Sequence, residues 1–277
     1  MPARDRVKNL GSDNMSRLAL KPKGPGGRLY HIGLRKADVG RVVLLPGDPG
    51  RVPRIAEHFR DAKLIASHRE YTTYGGYVDG EYVISMSTGI GGPSTAIAVE
   101  ELARLGVRLM IRVGTCGAIS PQAKIGTLIV ADAAVRLDGT SKQYALDGYP
   151  AAATPEVVVA LQDSARKLGK SFLTGITAST DSFYVGQGRP GYGGYLPSHA
   201  RALLSDLRAA RTLCFEMESS TLFTLGRLFG LKTGGVFSVL ADRTTGEFRA
   251  DAGVDDAIEV AVEGVRLLMG RGSTGSK

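Results

Sequence analysis

Long apolar runs are missing from this chain of 277 residues. No stretch approaches the roughly 18 to 20 apolar residues that a membrane-spanning helix needs, and the first residues lack the apolar segment of a secretory signal. These absences predict a soluble protein of the cytoplasm that has no membrane partner. Apolar side chains still make up 43% of the residues, which is enough to bury the core of one large domain.

Cysteine is also scarce, because Cys116 and Cys214 are the only two in the sequence. They lie far apart, form no CxxC pair and lack the spacing of metal ligands. The sequence therefore predicts neither a disulfide framework nor a structural zinc site, and it fits a reducing compartment.

Positive charge is in excess, but it is concentrated at the two ends of the chain. Of the formal net charge of +8, residues 1–28 carry +5 and residues 271–277 carry +2, which leaves +1 for residues 29–270. A nucleic-acid-binding protein would carry such charge on its folded body, so we predict no nucleic-acid partner. We expect a flexible basic leader at 1–28, one domain at 29–270 and a flexible tail at 271–277.

Short apolar or β-branched runs alternate with helical periods along residues 29–270, and this alternation predicts an α/β domain. Buried strands are predicted at 42–45, 82–86, 109–113, 127–131, 173–178 and 235–240. Helices are predicted directly after the first strand, after STGIGGPS with Ile97, Ala98, Leu102 and Leu105 on one face, from Thr154 and Pro155 to near Gly169, at 216–229 and at 255–269.

Three arginines stand beside glycine turns where strands end, namely Arg51 in PGDPGRV, Arg69 in SHREYTTYGG and Arg112 in RVGTCG. Ligands of open α/β sheets bind at strand ends, and guanidinium groups suit phosphate oxygens. Together with the backbone N–H groups of Gly47 and Thr115, these side chains are able to form an anion cup. The alternative is that each arginine is a solvated charge at a strand end.

Other familiar site patterns are missing. The run GIGG at 89–92 has neither the third glycine of a dinucleotide fingerprint nor the lysine of a P-loop, so it predicts no NAD or ATP site. No GxSxG motif occurs, and Ser94 follows Pro93 at a helix start, so a serine triad is not predicted. His31 is a lone histidine before the first strand, and on its own it is more often structural.

Two short segments carry polar groups beside apolar ones. In CFEMES, Glu216 and Glu218 flank Met217; a carboxylate accepts hydrogen bonds from the vicinal hydroxyls of a furanose, and a thioether covers its apolar face. The alternative is two carboxylates in a first helical turn. In the glycine-rich loop after residue 178, the side chains of Phe183, Gln187 and Arg189 are able to stack on and bind a planar heterocycle. The alternative there is an exposed flexible loop.

Taken together, the motifs resemble the nucleoside phosphorylase family, and most closely its uridine phosphorylase branch. STGIGGPSTAIAVEEL at 87–102 matches the family signature, and PGDPGRV, SHREYTT, RVGTCGAI, FYVGQGR and CFEMES follow the family order across residues 30–270. The resemblance implies a single α/β domain whose central mixed sheet is partly barrel-like and flanked by helices. It also implies a hexamer built from dimers, in which a neighbouring chain completes each active site.

The resemblance implies roles for individual residues. The phosphate, which is the co-substrate, would be held by Gly47, Arg51, Arg112 and Thr115, with Arg69 contributed across the dimer. The ribose would be held by Met217, Glu218 and Glu216, with His31 of a neighbouring chain at the 5′-hydroxyl. The pyrimidine would be held by Phe183, Gln187 and Arg189. No organic cofactor is implied, but a potassium ion on the dimer axis is, at Glu70, Ile90 and Ser94.

The activity implied is phosphorolysis of uridine to uracil and ribose 1-phosphate, with deoxyuridine and thymidine as further candidate substrates. Asp242 opens an alternative, because purine-cleaving relatives use an aspartate here to protonate the base, whereas the neighbouring Arg243 fits the uridine branch. Less favoured alternatives are a nucleosidase that uses water, which would not need three arginines, and a non-catalytic nucleoside-binding or nucleic-acid-binding protein.

Overall fold

Ten strands form one mixed sheet in the computed structural model, which describes residues 22–272. In chain order the strands are β1 Val42–Leu45, β2 Arg60–His68, β3 Tyr71–Val78, β4 Glu81–Met86, β5 Leu109–Ala118, β6 Leu128–Leu137, β7 Ala151–Ala152, β8 Phe172–Thr180, β9 Cys214–Glu216 and β10 Lys232–Asp242. The α-helices of these residues are α1 Arg51–Ala56, α2 Gly92–Leu105, α3 Thr140–Tyr144, α4 Pro155–Lys167, α5 Ser198–Ala209, α6 Ser219–Leu228 and α7 Val254–Gly272.

Five of the strands close into a ring, in which β5 pairs with β10, β10 with β6, β6 with β8, β8 with β9, and β9 with β5 again. The other side of β5 pairs with β1, and the sheet continues through β4 and β3 to β2 at the edge. Parallel and antiparallel pairs are mixed. The predicted α/β domain with a mixed, partly barrel-like sheet and flanking helices is therefore confirmed.

Both faces of the sheet are covered, and β1 shows why its four residues are all apolar. Val43 and Leu45 pack into one buried cluster with residues of α2 and α6, whereas Val42 and Leu44 pack into a second cluster with residues of α7. Successive side chains of a strand point to opposite faces, so a strand buried on both sides is a continuous apolar run.

The N-terminal boundary of helix α4 is as expected, but its first turn is held differently. Thr154 occupies the N-cap position before Pro155, and the helix ends two residues before Gly169, which has a positive φ of 65°. The Thr154 hydroxyl does not cap its own helix. It accepts a hydrogen bond from the backbone N–H of Thr233 at 2.9 Å and so ties α4 to β10.

The prediction of a helix over 216–229 is wrong at its start. Glu216 is the last residue of β9, and α6 begins only at Ser219. The Glu216 carboxylate accepts hydrogen bonds from the backbone N–H groups of Glu218 and Ser219, at 2.9 and 2.8 Å. Those bonds form a turn between strand and helix, so neither carboxylate of CFEMES lies in a first helical turn.

Most of the predicted leader and tail lies outside the described residues, namely 1–21 and 273–277. In the part that is described, the guanidinium of Arg28 donates hydrogen bonds to the carbonyl oxygen of Gly33 at 2.6 Å and to the Asp38 carboxylate at 2.8 Å. Helix α7 continues to Gly272.

Candidate active site

A cleft of about 960 Å³ opens where several strands of the sheet end. Its walls come from the loops after β1 and β4, from β5 and from the ends of β9 and β10, so distant parts of the sequence meet there. The cleft is lined by most of the residues singled out from the sequence: Gly47, Arg51, Ile90, Arg112, Thr115, Phe183, Gln187, Arg189, Glu216, Met217, Glu218, Asp242 and Arg243.

One end of the cleft, formed by Gly47, Arg51, Arg112 and Thr115, is called the arginine end below. The loops there are tied together, because the backbone N–H of Gly89 donates to the carbonyl oxygen of Gly47 at 3.0 Å. A Cβ at Gly47 would stand 2.8 Å from Nη2 of Arg112. Glycine is therefore required at residue 47 for the arginine to pass so close to the backbone.

Arg112 is buried and forms an ion pair with Glu218. Its Nη2 lies 2.6 Å from Oε2 of Glu218, and its Nη1 donates to the hydroxyl of Thr88 at 2.7 Å. The other oxygen of Glu218 accepts a hydrogen bond from the backbone N–H of Gly91 at 2.6 Å. Burial raises the pKa of Glu218, and the Arg112 guanidinium opposes that shift. The pair spans 106 residues of sequence.

The positive charges of Arg51 and Arg112 converge at the arginine end. Burial lowers the pKa of Arg51, and the nearby Arg112 guanidinium lowers it further. The Nε of Arg112 is buried and has no hydrogen-bond partner among residues 22–272. A buried donor without a partner beside a second guanidinium is unfavourable unless an anion binds there. The arrangement therefore suits a phosphate-sized anion.

Glu216 also lines the cleft, but its oxygens are used within the protein. One oxygen accepts the two backbone N–H bonds that form the turn before α6. The other accepts hydrogen bonds from the hydroxyls of Thr177, at 3.3 Å, and of Ser179. Only 4% of Glu216 is exposed. Its hydrogen bonds hold the backbone of the turn that carries Met217 and Glu218.

Another part of the cleft, formed by Phe183, Gln187 and Arg189, is called the loop end below. Cζ of Arg189 lies 4.1 Å from the centroid of the Phe183 ring, and its guanidinium donates to the side-chain oxygen of Gln187. The amide nitrogen of Gln187 donates to the hydroxyl of Thr180 at 3.2 Å. Gln187 is only 3% exposed, so the loop there is ordered by its own polar contacts, although Phe183 is half exposed.

Arg243, which directly follows β10, also contacts the loop end. Arg243 donates to the carbonyl oxygen of Gln187 at 3.0 Å. Burial lowers the pKa of Arg189 to about 10, and the neighbouring Arg243 contributes to the shift. This part of the cleft therefore presents hydrogen-bond donors and positive charge to whatever binds beside Phe183.

Asp242 stands next to Arg243, and one oxygen of its carboxylate is already occupied. Oδ1 accepts hydrogen bonds from the hydroxyl and the backbone N–H of Thr244, at 2.5 and 2.7 Å, and from the N–H of Thr245 at 3.3 Å. Burial raises the pKa of Asp242, but these hydrogen bonds outweigh it and lower the pKa below its ordinary value. A carboxyl group in that state is an acceptor and is poorly suited to protonate a base.

Arg69 and His31, which were predicted to act across the dimer, lie outside the cleft of this chain. Arg69 is exposed, has a positive φ of 55°, and stacks over the Tyr30 ring with Cζ 5.4 Å from its centroid. His31 is partly exposed, and its Nδ1 lies 2.7 Å from Oε1 of Glu101. Both were predicted to serve the site of a second chain, which remains a prediction.

Glu70, Ile90 and Ser94 form a small group beside the loop after β4. The hydroxyl of Ser94 donates to the carbonyl oxygen of Ile90 at 3.2 Å. A Cβ at Gly89 would stand 2.9 Å from Cγ of Glu70 and 3.5 Å from that hydroxyl, so the three residues are neighbours. The group is at the surface, where Ile90 is 77% exposed.

Two buried residues that hold side chains of the cleft were not found from the sequence. Thr88 binds Arg112, and Thr180 binds Gln187. Thr88 lies two residues after the buried strand β4 and precedes a glycine, a position at which a site residue is common, so that signal was available. Between residues 22 and 272, no group of three His, Cys, Asp or Glu side chains is placed to hold a metal ion, and no helix is long and apolar enough to cross a membrane.

Comparison with known proteins identifies relatives along nearly the whole domain. The family model of the Phosphorylase superfamily matches residues 41–269. Uridine phosphorylase of Thermococcus kodakarensis is 54% identical over 250 residues, which cover 90% of each chain. Uridine phosphorylase of Escherichia coli is 41% identical over 87% of this chain and 98% of its own. Guanosine phosphorylase of Halorubrum lacusprofundi is 35% identical over 85% and 92%.

Proposed function

This chain belongs to the phosphorylase superfamily, and from that premise we propose that it catalyses the phosphorolysis of uridine to uracil and ribose 1-phosphate. It would thus be a pentosyltransferase that uses inorganic phosphate as co-substrate and needs no organic cofactor. The proposal also takes support from the relatives named uridine phosphorylase, which are 41 to 54% identical over most of this chain.

One observation carries the proposal, which is the set of groups that the cleft brings together. Arg51 and Arg112 line it, Glu218 is paired with Arg112, and the amide and guanidinium of Gln187 and Arg189 line it as well. A phosphate, a ribose and a base together need these charges and hydrogen-bonding groups. The cleft volume of about 960 Å³ exceeds what a nucleoside and a phosphate together require.

In this reaction an oxygen of the phosphate forms a bond to C1′ of the ribose while the bond from C1′ to the base nitrogen breaks. The base leaves with the electron pair, so positive charge develops on the ribose and negative charge on the base. Arg51, Arg112 and the N–H groups at Gly47 and Thr115 would place the phosphate dianion against C1′. Donors of Gln187 and Arg189 would stabilise the departing base, which then takes a proton from solvent.

Ribose binding falls to the turn between β9 and α6. Glu218 would accept hydrogen bonds from the vicinal hydroxyls of the ribose once the phosphate accepts hydrogen bonds that Arg112 otherwise donates to Glu218. Met217 would cover the apolar face of the sugar. For Glu216 we propose a supporting role, because its oxygens already hold the backbone of that turn.

Asp242 separates the two base preferences. Protonation of a purine at N7 would need a carboxylic acid, whereas the hydrogen bonds from Thr244 and Thr245 lower the pKa of Asp242 and keep it ionised. The Gln187 and Arg189 pair suits the carbonyl and imide groups of a pyrimidine. Both features favour uridine over a purine nucleoside.

Assembly and ion binding complete the proposal. A hexamer built from dimers would bring His31 and Arg69 of one chain to the cleft of the next, which fits their position outside the cleft of their own chain. A potassium ion on the dimer axis would bind at Glu70, Ile90 and Ser94, which are neighbours at the surface. We place the protein in the cytoplasm, where its two free buried cysteines, Cys116 and Cys214, stay reduced.

The test is a phosphate-dependence assay with uridine and inosine side by side. We expect uracil to be released from uridine only when phosphate is present, with inosine cleaved far more slowly. Cleavage of inosine but not uridine would overturn the base assignment. Release of uracil without phosphate would indicate a nucleosidase, and cleavage of neither substrate would indicate a binding protein.

A further inference from the structure

A buried carboxylate outside the cleft holds His31. Glu101 lies in α2 and is 4% exposed. One of its oxygens is 2.7 Å from Nδ1 of His31, and the other accepts a hydrogen bond from the backbone N–H of Ile32 at 3.0 Å. We propose that Glu101 is a positioning residue that fixes the His31 ring in the form with a proton on Nδ1, and thereby selects nucleosides with a free 5′-hydroxyl over those with a 5′-ether.

The hydrogen bonds decide which nitrogen of His31 carries the proton. An ionised carboxylate only accepts, so Nδ1 must donate to Glu101. In a neutral imidazole the other nitrogen, Nε2, is then an acceptor. The ring is also held in direction, because Ile32 beside it is bound by the same carboxylate and the carbonyl oxygen of His31 accepts a hydrogen bond from the His68 ring at 2.8 Å.

The consequence for substrate choice rests on the proposed function, in which His31 meets the 5′ group of a ribose bound by a neighbouring chain. An Nε2 acceptor pairs with an O–H donor. A free 5′-hydroxyl supplies that donor, whereas a 5′-ether presents only an acceptor and a 5′-deoxy sugar presents nothing. Two acceptors that face each other leave a hydrogen bond unmade, and this costs about threefold to tenfold in binding.

The backbone N–H of Ile32 makes a sharp test available. This group can only donate, so in Glu101→Gln the amide oxygen must face Ile32 and the amide nitrogen must face His31. Nδ1 of His31 then has to accept, and the proton moves to Nε2. The substitution therefore keeps the size of the side chain while it reverses the hydrogen-bonding character of the nitrogen that faces the substrate.

The experiment measures kcat/KM for uridine, 5′-O-methyluridine and 5′-deoxyuridine in the full-length protein with phosphate. For the wild type, kcat/KM should be higher for uridine than for 5′-O-methyluridine. In Glu101→Gln the ratio of these two values should be about threefold to tenfold smaller, since Nε2–H now donates to the ether oxygen. The preference over 5′-deoxyuridine should change little, because a hydroxyl both donates and accepts. The bulk of the methyl group is the same in both proteins and cancels in the comparison.

Glu100→Gln is the matched control, because Glu100 is the preceding residue of α2 and pairs with Arg104 rather than with His31. It removes the same charge from the same helix and should leave both preferences unchanged. A second readout is independent of turnover: nitrogen-15 NMR of the four histidines, with His31→Gln for assignment, should show the proton on Nδ1 in the wild type and on Nε2 in Glu101→Gln.

The inference would be overturned if the ratio of kcat/KM for uridine to that for the ether is unchanged in Glu101→Gln. It would also be overturned if the ratios for the ether and for the deoxy sugar fall equally, even though uridine is still cleaved. A His31 ring that carries its proton on Nε2 in the wild type would overturn it as well. If the wild type cleaves no uridine at all, the proposed function fails and the inference falls with it, so the two failures are distinguishable.

Discussion

At the arginine end of the cleft, Arg112 projects from the sheet and binds a residue far away in the sequence, whereas at the loop end the side chains stand on a glycine-rich segment and bind mainly within it. Arg112 projects from β5 and is paired with Glu218, which follows β9. The side chains of Phe183, Gln187 and Arg189 make their contacts within residues 180–189, and one hydrogen bond from Arg243 reaches the backbone of Gln187. The ion pair depends on long-range folding, and the contacts of the loop end are mostly local.

This contrast divides the chemistry of the proposed reaction. Phosphate attack is needed for every substrate, and Arg112, one of the groups assigned to it, is buried within the domain. Base selection differs between substrates, and the groups assigned to it lie on loops, which change without disturbing a core. Substitutions at the two ends should therefore affect different kinetic constants and different stabilities, and the following experiments test that expectation.

The largest effect is expected at the arginine end. Arg112→Ala removes the guanidinium that would bind phosphate, so kcat/KM should fall at least about a hundredfold. The melting temperature should fall too, because Glu218 is left buried without its partner. Arg104→Ala removes an exposed arginine paired with Glu100 and should change kcat/KM less than about twofold. Near-normal activity of Arg112→Ala would remove the phosphate assignment.

A smaller and more selective effect is expected at the loop end. Arg189→Met should lower kcat/KM for uridine about tenfold to a hundredfold, because donors that stabilise the departing base are lost. The KM for phosphate and the melting temperature should stay close to those of the wild type. A rise in the phosphate KM as large as the loss for uridine would show that the two ends are not separate.

Substitution of Asp242 should have the smallest effect on the rate of uridine cleavage. Its main effect should be on the pH dependence of the melting temperature. Asp242→Asn should change uridine cleavage less than about threefold, because the carboxylate binds Thr244 and Thr245 rather than donating a proton. Substantial loss of activity in this variant would restore Asp242 as a catalytic group.

The sign of the pH effect follows from the lowered pKa of Asp242 in the folded state. The unfolded state binds the proton more tightly, so the ionised carboxylate stabilises the folded protein above the ordinary pKa of about 3.9. That stabilisation is lost as the pH falls through the lower folded-state pKa. The melting temperatures of wild type and Asp242→Asn should therefore differ at pH 6 and converge well below pH 3.9.

The sequence predicted those parts of the fold in which local pattern and burial agree. Strand β1 is an uninterrupted apolar run because both of its faces are buried, and its predicted limits are the observed ones. Strand β2 was not predicted, since most of its residues are exposed and it carries no alternation. Helix α5 was missed for a related reason, because only Ala200 and Leu207 of it are buried.

The residues of the site were easier to predict than the contacts between them. Glycine turns at strand ends and the family order of motifs led to most of the charged and polar side chains that line the cleft, and the resemblance to nucleoside phosphorylases is confirmed by the family match. The pairing of Arg112 with Glu218 and the hold of Glu101 on His31 join residues 106 and 70 positions apart. No local spacing encodes such contacts, because they arise only when the sheet has formed.

The ion pair between Arg112 and Glu218 has a thermodynamic consequence for the two substrates. In the proposed reaction the guanidinium serves the phosphate and the carboxylate serves the sugar, so each ligand would compete with the same internal bond. Linkage then requires that whatever factor phosphate applies to nucleoside affinity, the nucleoside applies to phosphate affinity. The two subsites therefore form one cooperative unit, and the affinity of either has a defined value only at a stated concentration of the other ligand.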